Sequence, residues 1–288
     1  MSSRKSASKL RFEMQRIDFH VHLTPPEIIN DVEKIKKLEP YFALLAENPH
    51  NRYARAEDVI TALGESGFDR AVVFGFAFKD MGLCRMVNDY VIEKVRQFPE
   101  QFTGFMSISP HANGVEAEIE RCYKAGLRGV GELYPDGQNL DIDDEKQTRT
   151  FTNACKELNI PVIVHTNEPV GHFYKGKNDI PLTKIERFIE HSQGLNIILA
   201  HWGGGLMFYE SMPDLREKFR TVYYDTAATP FLYDAHIYKT AIALNLEHKI
   251  LFGSDFPLLP PSRYLSQMEG LSLESKNLIL GGNAQKLL

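Results

Sequence analysis

The stretch Arg16-Ile17-Asp18-Phe19-His20-Val21-His22-Leu23 is apolar and strand-like, and it ends on two histidines. In an extended strand alternate side chains share a face, so His20 and His22 project the same way, about 6.6 Å apart along the strand. Two imidazoles on one face at a strand end form a two-toothed clamp for a divalent metal. A His-x-His pair by itself also describes two unrelated surface histidines, so the rest of the chain must supply further ligands.

Working outward, strand-like apolar runs recur at 16–23, 70–76, 101–109, 127–133, 161–166, 196–201, 221–225 and 249–254. Most are continuous rather than alternating, as expected for a parallel sheet buried on both faces. Between them lie segments with apolar residues at three- or four-residue spacing, at 56–63, 86–95, 115–123, 150–158, 185–189 and 212–219. The clearest has Ala56, Val59, Ile60 and Leu63 on one face, and Gly67, Gly126 and Asn159 stand as C-terminal stops after three of these segments. Eight strand–helix units in 288 residues predict an α/β fold, a (β/α)8 TIM barrel. An open doubly wound sheet is the rival, but it needs neither an eighth strand nor ligands from so many strand ends. About thirty residues separate Leu23 from Ala56, with a helix-like 27–38 and the pair Tyr41-Phe42; an insertion of that length after strand 1 reads as a lid or substrate wall.

Composition bounds the function. The chain is 43% hydrophobic and 25% charged with a formal net charge of −5, which argues against sequence-independent binding to nucleic acid. No apolar run approaches the ~20 residues that span a bilayer. Residues 1–15 are basic and Ser-rich without an apolar core, which reads as a disordered lead-in rather than a secretory signal, and 16–288 as one domain. Cys84, Cys122 and Cys155 are odd in number and widely spaced, so buried free thiols in a reducing cytoplasm are expected.

Active sites of (β/α)8 barrels lie at the C-terminal strand ends. Strand 1 ends with His20 and His22, strand 4 carries Glu132, strand 5 ends on His165, strand 6 on His201 and strand 8 on Asp255. Each alone has an ordinary explanation as a surface histidine, a rim charge or a turn residue. Together, six metal-competent side chains at the ends of five strands predict a divalent-metal site of one or two ions. Imidazole with carboxylate suits zinc first, with manganese or iron also compatible.

The order His-x-His, Glu, His, His, Asp resembles the amidohydrolase superfamily. The flanking text is similar to its amidohydrolase 2 branch, which holds hydrolases, lactonases and aromatic-acid decarboxylases. That text runs through Gly67-Phe68-Asp69-Arg70, Ala200-His201-Trp202-Gly203-Gly204-Gly205 and Phe252-Gly253-Ser254-Asp255-Phe256-Pro257 to Gly282-Asn283-Ala284. The resemblance implies a metal-dependent barrel in which His20, His22 and Asp255 hold the more buried ion. It also implies that Glu132 stands where many members carry a bridging carboxylated lysine. With a bridging Glu132, His165 and His201 hold a second ion and a metal-bound hydroxide attacks, Asp255 moving its proton. With one ion, His201 or His165 is free to polarise a carbonyl or carry a proton.

Weaker substrate-binding candidates are Trp202, Glu168, His172 and Tyr224. The run 203–205 either turns its backbone N–H groups toward a substrate anion or simply makes a tight turn. Asp225 is a candidate partner for a ligating histidine. Residues 171–178 nearly spell a phosphate loop but end on Asn178, where a magnesium-binding Ser or Thr is required. The leading expectation is a metal-dependent hydrolase of an ester, lactone or amide bond in a small carboxylated molecule, with Asp255 and His201 as the catalytic groups. The alternative is a single-metal, non-oxidative decarboxylase of an aromatic or unsaturated acid. A catalytically silent, metal-stabilised scaffold is a third reading. The expected partner is a small molecule, not nucleic acid or membrane, with self-association left open.

Overall fold

The computed structural model describes residues 14–48, 51–174 and 176–288. The lead-in expected over 1–15 lies outside the described residues except for Met14 and Gln15, which are exposed. Eight strands follow in order: β1 (Ile17–His22), β2 (Arg70–Phe74), β3 (Phe102–Gly104), β4 (Val130–Leu133), β5 (Val162–Val164), β6 (Ile197–Leu199), β7 (Val222–Asp225) and β8 (Ile250–Leu251). Every pairing is parallel, in the runs β1-β2-β3 and β4-β5-β6-β7-β8. Two seams join the runs. At the first, Met106 N–H donates to Gly129 O (2.9 Å) and Gly131 N–H to Met106 O (3.0 Å). At the second, Phe19 N–H donates to Phe252 O (2.6 Å) and His22 N–H to Phe256 O (2.8 Å). The backbone hydrogen bonds thereby run round a closed barrel, leaving no free sheet edge.

Side-chain alternation separates two apolar layers. Val72, Phe74, Ile163, Ile198 and Leu251 form the inner cluster together with Ile17, Phe19 and Phe105. Ala71, Val73, Val162, Val164, Ile197 and Leu199 belong to the outer cluster, which packs against the helices. On β1 the register against β2 shifts between Asp18 and Val21. This irregularity lets one strand contribute Phe19 to the inner layer and then put His20 and His22 against Phe74, each ring 5.0 Å from it.

Five of the expected helices form with longer bounds, as Ala56–Ser66, Met81–Gln97, Val115–Ala125, Glu145–Glu157 and Leu182–His191, whereas the one expected over 212–219 is shorter, Pro213–Lys218. Gly67 (φ 71°) and Gly126 (φ 115°) take left-handed conformations at two helix ends, where a Cβ carries a steric cost. The insertion differs from the single helix expected over 27–38. It holds Pro26–Asn30, Val32–Leu38 and Pro40–Ala46, broken at Asp31 and at Glu39, the residue before a proline. Glu39 is buried and accepts the backbone N–H groups of Lys79 (3.2 Å) and Asp80 (2.8 Å), which pins the insertion to the loop after β2. The three cysteines are buried and free, as expected. No described helix is long and apolar enough to cross a membrane.

Candidate metal centre

The strand ends bring all six metal-competent side chains into one cluster at the barrel mouth, in two triads: His20, His22 and Asp255, then Glu132, His165 and His201. In the first, His20 Nε2 lies 3.3 Å from His22 Nε2, and Asp255 Oδ1 lies 3.2 Å from His22 Nε2 and 3.7 Å from His20 Nε2. Donors about 2.1 Å from a shared ion sit roughly 3.0–3.5 Å apart, and these spacings are close to that range. In the second triad, His165 Nδ1 lies 2.9 Å from Glu132 Oε1 and 3.2 Å from His201 Nε2. Glu132 spans both, because its Oε2 is 3.7 Å from His20 Nε2 and 3.9 Å from His22 Nε2.

Outer partners aim these rings. Asp225, fully buried, accepts the Nδ1–H of His20 at 2.8 Å and leaves Nε2 facing the cluster. Ala227 O takes Nδ1 of His201 at 3.1 Å, again leaving Nε2 inward. Asn167 Oδ1 takes Nε2 of His165 at 3.1 Å. The Asn167 amide orientation is fixed independently, since the same Oδ1 accepts the backbone N–H of Asn178 at 3.1 Å. Each outward N–H is therefore occupied, and a lone pair on each of the three rings is available inward. His22 is the exception: its Nδ1 is buried with no partner among the described residues.

Electrostatics agree with a cation here. Burial lowers the proton affinity of His20, but Asp225, Glu132 and Asp255 outweigh it and push its pKa up to about 10. His201 behaves likewise, burial opposing Glu132 and Asp255, and rises to about 9. Glu132 is pulled well below the carboxylate range by His165 and His20 against the burial penalty, and Asp255 is lowered by His22, His20 and His201 against the same penalty. Behind them burial raises Asp18 to about 7, opposed by its hydrogen bond from Ser254. The buried carboxylates thus demand positive charge, which protons on the imidazoles or a divalent ion can satisfy, so ion binding exchanges with protons. The donor set fits a divalent transition metal.

Three of the four substrate-binding candidates lie away from the cluster's cavity, Trp202 and Tyr224 in the barrel wall and Glu168 in a second cavity. Trp202 is fully buried, donates Nε1–H to Thr229 Oγ1 (2.8 Å) and packs edge-on against Tyr238. Tyr224 is fully buried, and its hydroxyl donates to Glu210 Oε1 (2.8 Å). Strand-end position alone did not reveal that these rings fall on the helix side of the barrel wall. The run 203–205 is a left-handed turn, and Gly204 and Gly205 line a second cavity of about 330 Å³ beside Glu168 and His172. His172 also lines the main cavity, whereas Glu168 lines only the second. The near-phosphate loop places Asn178 against Asn167, not at a helix start.

The main cavity, about 400 Å³, has His22, Glu132, His165, His201 and Asp255 at its polar end. Its walls come from the insertion after β1 (Leu23, Ile28, Phe42, Leu45, Tyr53) and from later loops. The insertion is thus a wall of the site. Sequence reasoning did not single out Tyr134, which stacks on His165 with ring centroids 4.0 Å apart, nor Tyr174 or Asn167. Tyr134 directly follows Leu133 at the end of β4, a position where strand-end reasoning could have found it.

A closed parallel barrel with a His/Asp/Glu cluster at its C-terminal mouth defines a metal-dependent enzyme class. A family model described as amidohydrolase matches residues 17–288, and the chain belongs to that family. Among solved structures, the chain is similar to 5-carboxyvanillate decarboxylase from Sphingomonas paucimobilis (TM-score 0.76, 16% identity, 95% of this chain and 98% of that one). It is also similar to the Novosphingobium aromaticivorans 5-carboxyvanillate decarboxylase complexed with manganese and 4-hydroxy-3-methoxy-5-nitrobenzoic acid (TM-score 0.76, 16% identity, 96% of each chain). A third is 2,6-dihydroxybenzoate decarboxylase from Rhizobium (TM-score 0.69, 17% identity, 95% of this chain and 98% of that one). At these identities the likeness establishes the fold.

Proposed function

We propose that this protein is a metal-dependent, non-oxidative decarboxylase of a small aromatic carboxylic acid. The observation that carries this reading is the pairing of a divalent-cation donor cluster with a cavity of about 400 Å³ walled by Phe42, Tyr53, Phe76, Phe78, Tyr134 and Phe231. Such a volume suits a single substituted ring, and flat aromatic walls favour a flat apolar ligand with its carboxylate at the polar end. The hydrolase expected from sequence gives way to this reading because the solved relatives named above are decarboxylases of hydroxylated aromatic acids. One of them holds manganese, which supports manganese over zinc here.

His20, His22, Asp255 and Glu132 would hold the ion. When bound, it supplies positive charge that anchors the substrate oxygens and stabilises negative charge developing on the ring. The remaining work falls to the chain's own residues. The apolar walls exclude water and hold the ring in the cavity. Loss of carbon dioxide leaves a ring carbon that must take a proton, and His201 Nε2, whose proton affinity is raised against the burial penalty by Glu132 and Asp255, is the group at the cavity floor suited to deliver it. Asp225 and Ala227 O hold His20 and His201 in fixed orientation while this happens.

A second reading rests on one observation: Glu132 contacts histidines of both triads, the arrangement a bridging ligand between two ions needs. That geometry supports metal-hydroxide hydrolysis. One experiment separates the two. Protein loaded with manganese is incubated with a panel of hydroxylated benzoates and, separately, of lactones and esters, while bound metal is counted. Carbon dioxide release with one ion per chain is expected. Ester or lactone cleavage with two ions per chain and no carbon dioxide overturns the decarboxylase.

A further inference from the structure

Tyr174 stands one amide away from the metal cluster. Asn167 is buried and divided between two tasks: its Oδ1 takes the backbone N–H of Asn178 and faces Nε2 of His165, each at 3.1 Å, and its Nδ2 donates to the Tyr174 hydroxyl oxygen. Because the Asn178 N–H must meet an oxygen, the amide cannot be reversed, and Nδ2 is necessarily the end that faces Tyr174. The phenol oxygen is therefore an acceptor in this bond. Its own hydrogen has no acceptor among the described residues, although the ring lines the main cavity and forms part of its boundary with the second. A hydroxyl hydrogen that faces a cavity and has no acceptor among the described residues is available to a ligand held there.

From this hydrogen inventory we infer that Tyr174 is a specificity-determining residue, donating its phenolic hydrogen to a ring oxygen substituent of the aromatic acid held at the metal centre. The hydroxyl keeps its proton for the purpose: burial raises its pKa, and the acidic Glu168, Asp255 and Glu132 raise it further. The ligand chemistry follows. A neutral donor set among buried carboxylates recognises an oxygen that accepts, such as a ring hydroxylate or methoxy group, and discriminates against the same ring bearing hydrogen there. Such sites reject the analogue lacking the oxygen more strongly than apolar pockets reject a missing methylene. Gly204 is part of the same device. A Cβ there would lie 2.4 Å from Asn167 O, so only glycine lets the turn after β6 close over the strand end that carries Asn167.

The inference rests on the decarboxylase reading for its substrate but can be tested without turnover. Tyr174→Phe keeps the ring and removes the donor. Two probes are titrated calorimetrically into manganese-loaded wild type and variant: 4-hydroxy-3-methoxy-5-nitrobenzoic acid and 3-nitrobenzoic acid, which lacks the ring oxygens. The variant is expected to lose roughly tenfold in affinity for the oxygenated probe, the size of one hydrogen bond, and less than twofold for the other. Equal losses for both probes, or none for either, overturn the role of Tyr174. Where wild type releases carbon dioxide from oxygenated benzoates, the same contrast should appear as a raised KM with kcat little changed. Where wild type binds the probes with the stated contrast yet releases no carbon dioxide from any acid, the decarboxylase reading fails and Tyr174 stands.

Discussion

Asp225 and His20 share a 2.8 Å hydrogen bond within the barrel, and both side chains are fully buried. The second oxygen of Asp225 accepts the backbone N–H groups of His201 (2.9 Å) and Ala227 (3.0 Å). One carboxylate therefore fixes the ring of a histidine in the first triad and the backbone of a histidine in the second. Asparagine cannot replace it, since an amide that accepts from His20 turns its NH2 toward two backbone donors. Asp225→Asn is expected to weaken manganese binding about 10- to 100-fold, the usual effect of removing such an outer partner. Titration of metal-free protein with manganese measures it; an unchanged affinity would show that His20 does not need this tether.

Removing the metal should leave the fold intact. The imidazoles and carboxylates of the cluster already compensate one another through protons, so no uncompensated buried charge remains. Thermal unfolding after chelation should shift downward but stay cooperative. Manganese at a hundredfold excess over its Kd should restore about 2.7 kcal/mol. A chelated protein that no longer unfolds cooperatively would mean that the ion is required for folding.

Glu118 offers a pH-dependent contribution far from the metal. It is buried between Met81–Gln97 and Val115–Ala125, accepting from Asn88 Nδ2 (2.9 Å) and Arg121 Nη2 (2.7 Å). Burial would raise its pKa, but Arg121, Asn88 and Cys122 outweigh burial and hold it below its ordinary value near 4.5. A lowered folded-state pKa means that the stabilisation is full above about 4.5 and is lost as pH falls through the folded value. Glu118→Gln should cost about 1–2 kcal/mol at pH 7, at the low end for a charged hydrogen bond because Arg121 is partly exposed. Denaturant titrations at pH 7 and pH 3.5 should show the difference between variant and wild type shrinking at the lower pH.

Gly204→Ala probes the turn after β6. The residue sits at φ +59°, where an alanine is strained by about 1–2 kcal/mol, and the added methyl would meet backbone rather than a movable side chain. The expected loss exceeds ~2 kcal/mol, read by denaturant unfolding, together with weaker manganese binding, because a shift of Asn167 moves His165 and with it the Glu132 carboxylate it contacts. A variant as stable as wild type would show that the turn relaxes freely.

The barrel was legible because its strands are buried on both faces and so are written as unbroken apolar runs such as 196–201, each followed by a helix stop or a polar strand end. The six cluster residues were legible for the same reason, since a polar residue closing an apolar strand has few explanations. What local pattern could not carry was the side of the wall on which a ring falls. Trp202 follows His201 and Tyr224 precedes Asp225, the partner of His20, yet both rings point into the outer packing, because adjacent residues in extended or turning backbone face opposite ways. The insertion read as one helix because its apolar period continues through Asp31, while Pro40 enforces a further break. The roles of Asn167 and Tyr174 depend on which amide atom meets which donor, a matter of tertiary contact alone.

The seam between β1 and β8 has a consequence for biosynthesis. Asp255 N–H donates to His20 O at 2.9 Å, and Asp18 Oδ1 accepts Ser254 N–H at 2.9 Å, so the first triad is stitched from the two ends of the barrel sequence. Until the ribosome has released the eighth strand, His20 and His22 have neither their carboxylate nor their neighbour. A chain whose eighth strand has not yet formed therefore lacks one of the three donors of this triad, so an ion held there would gain its full set of ligands only once the barrel closes.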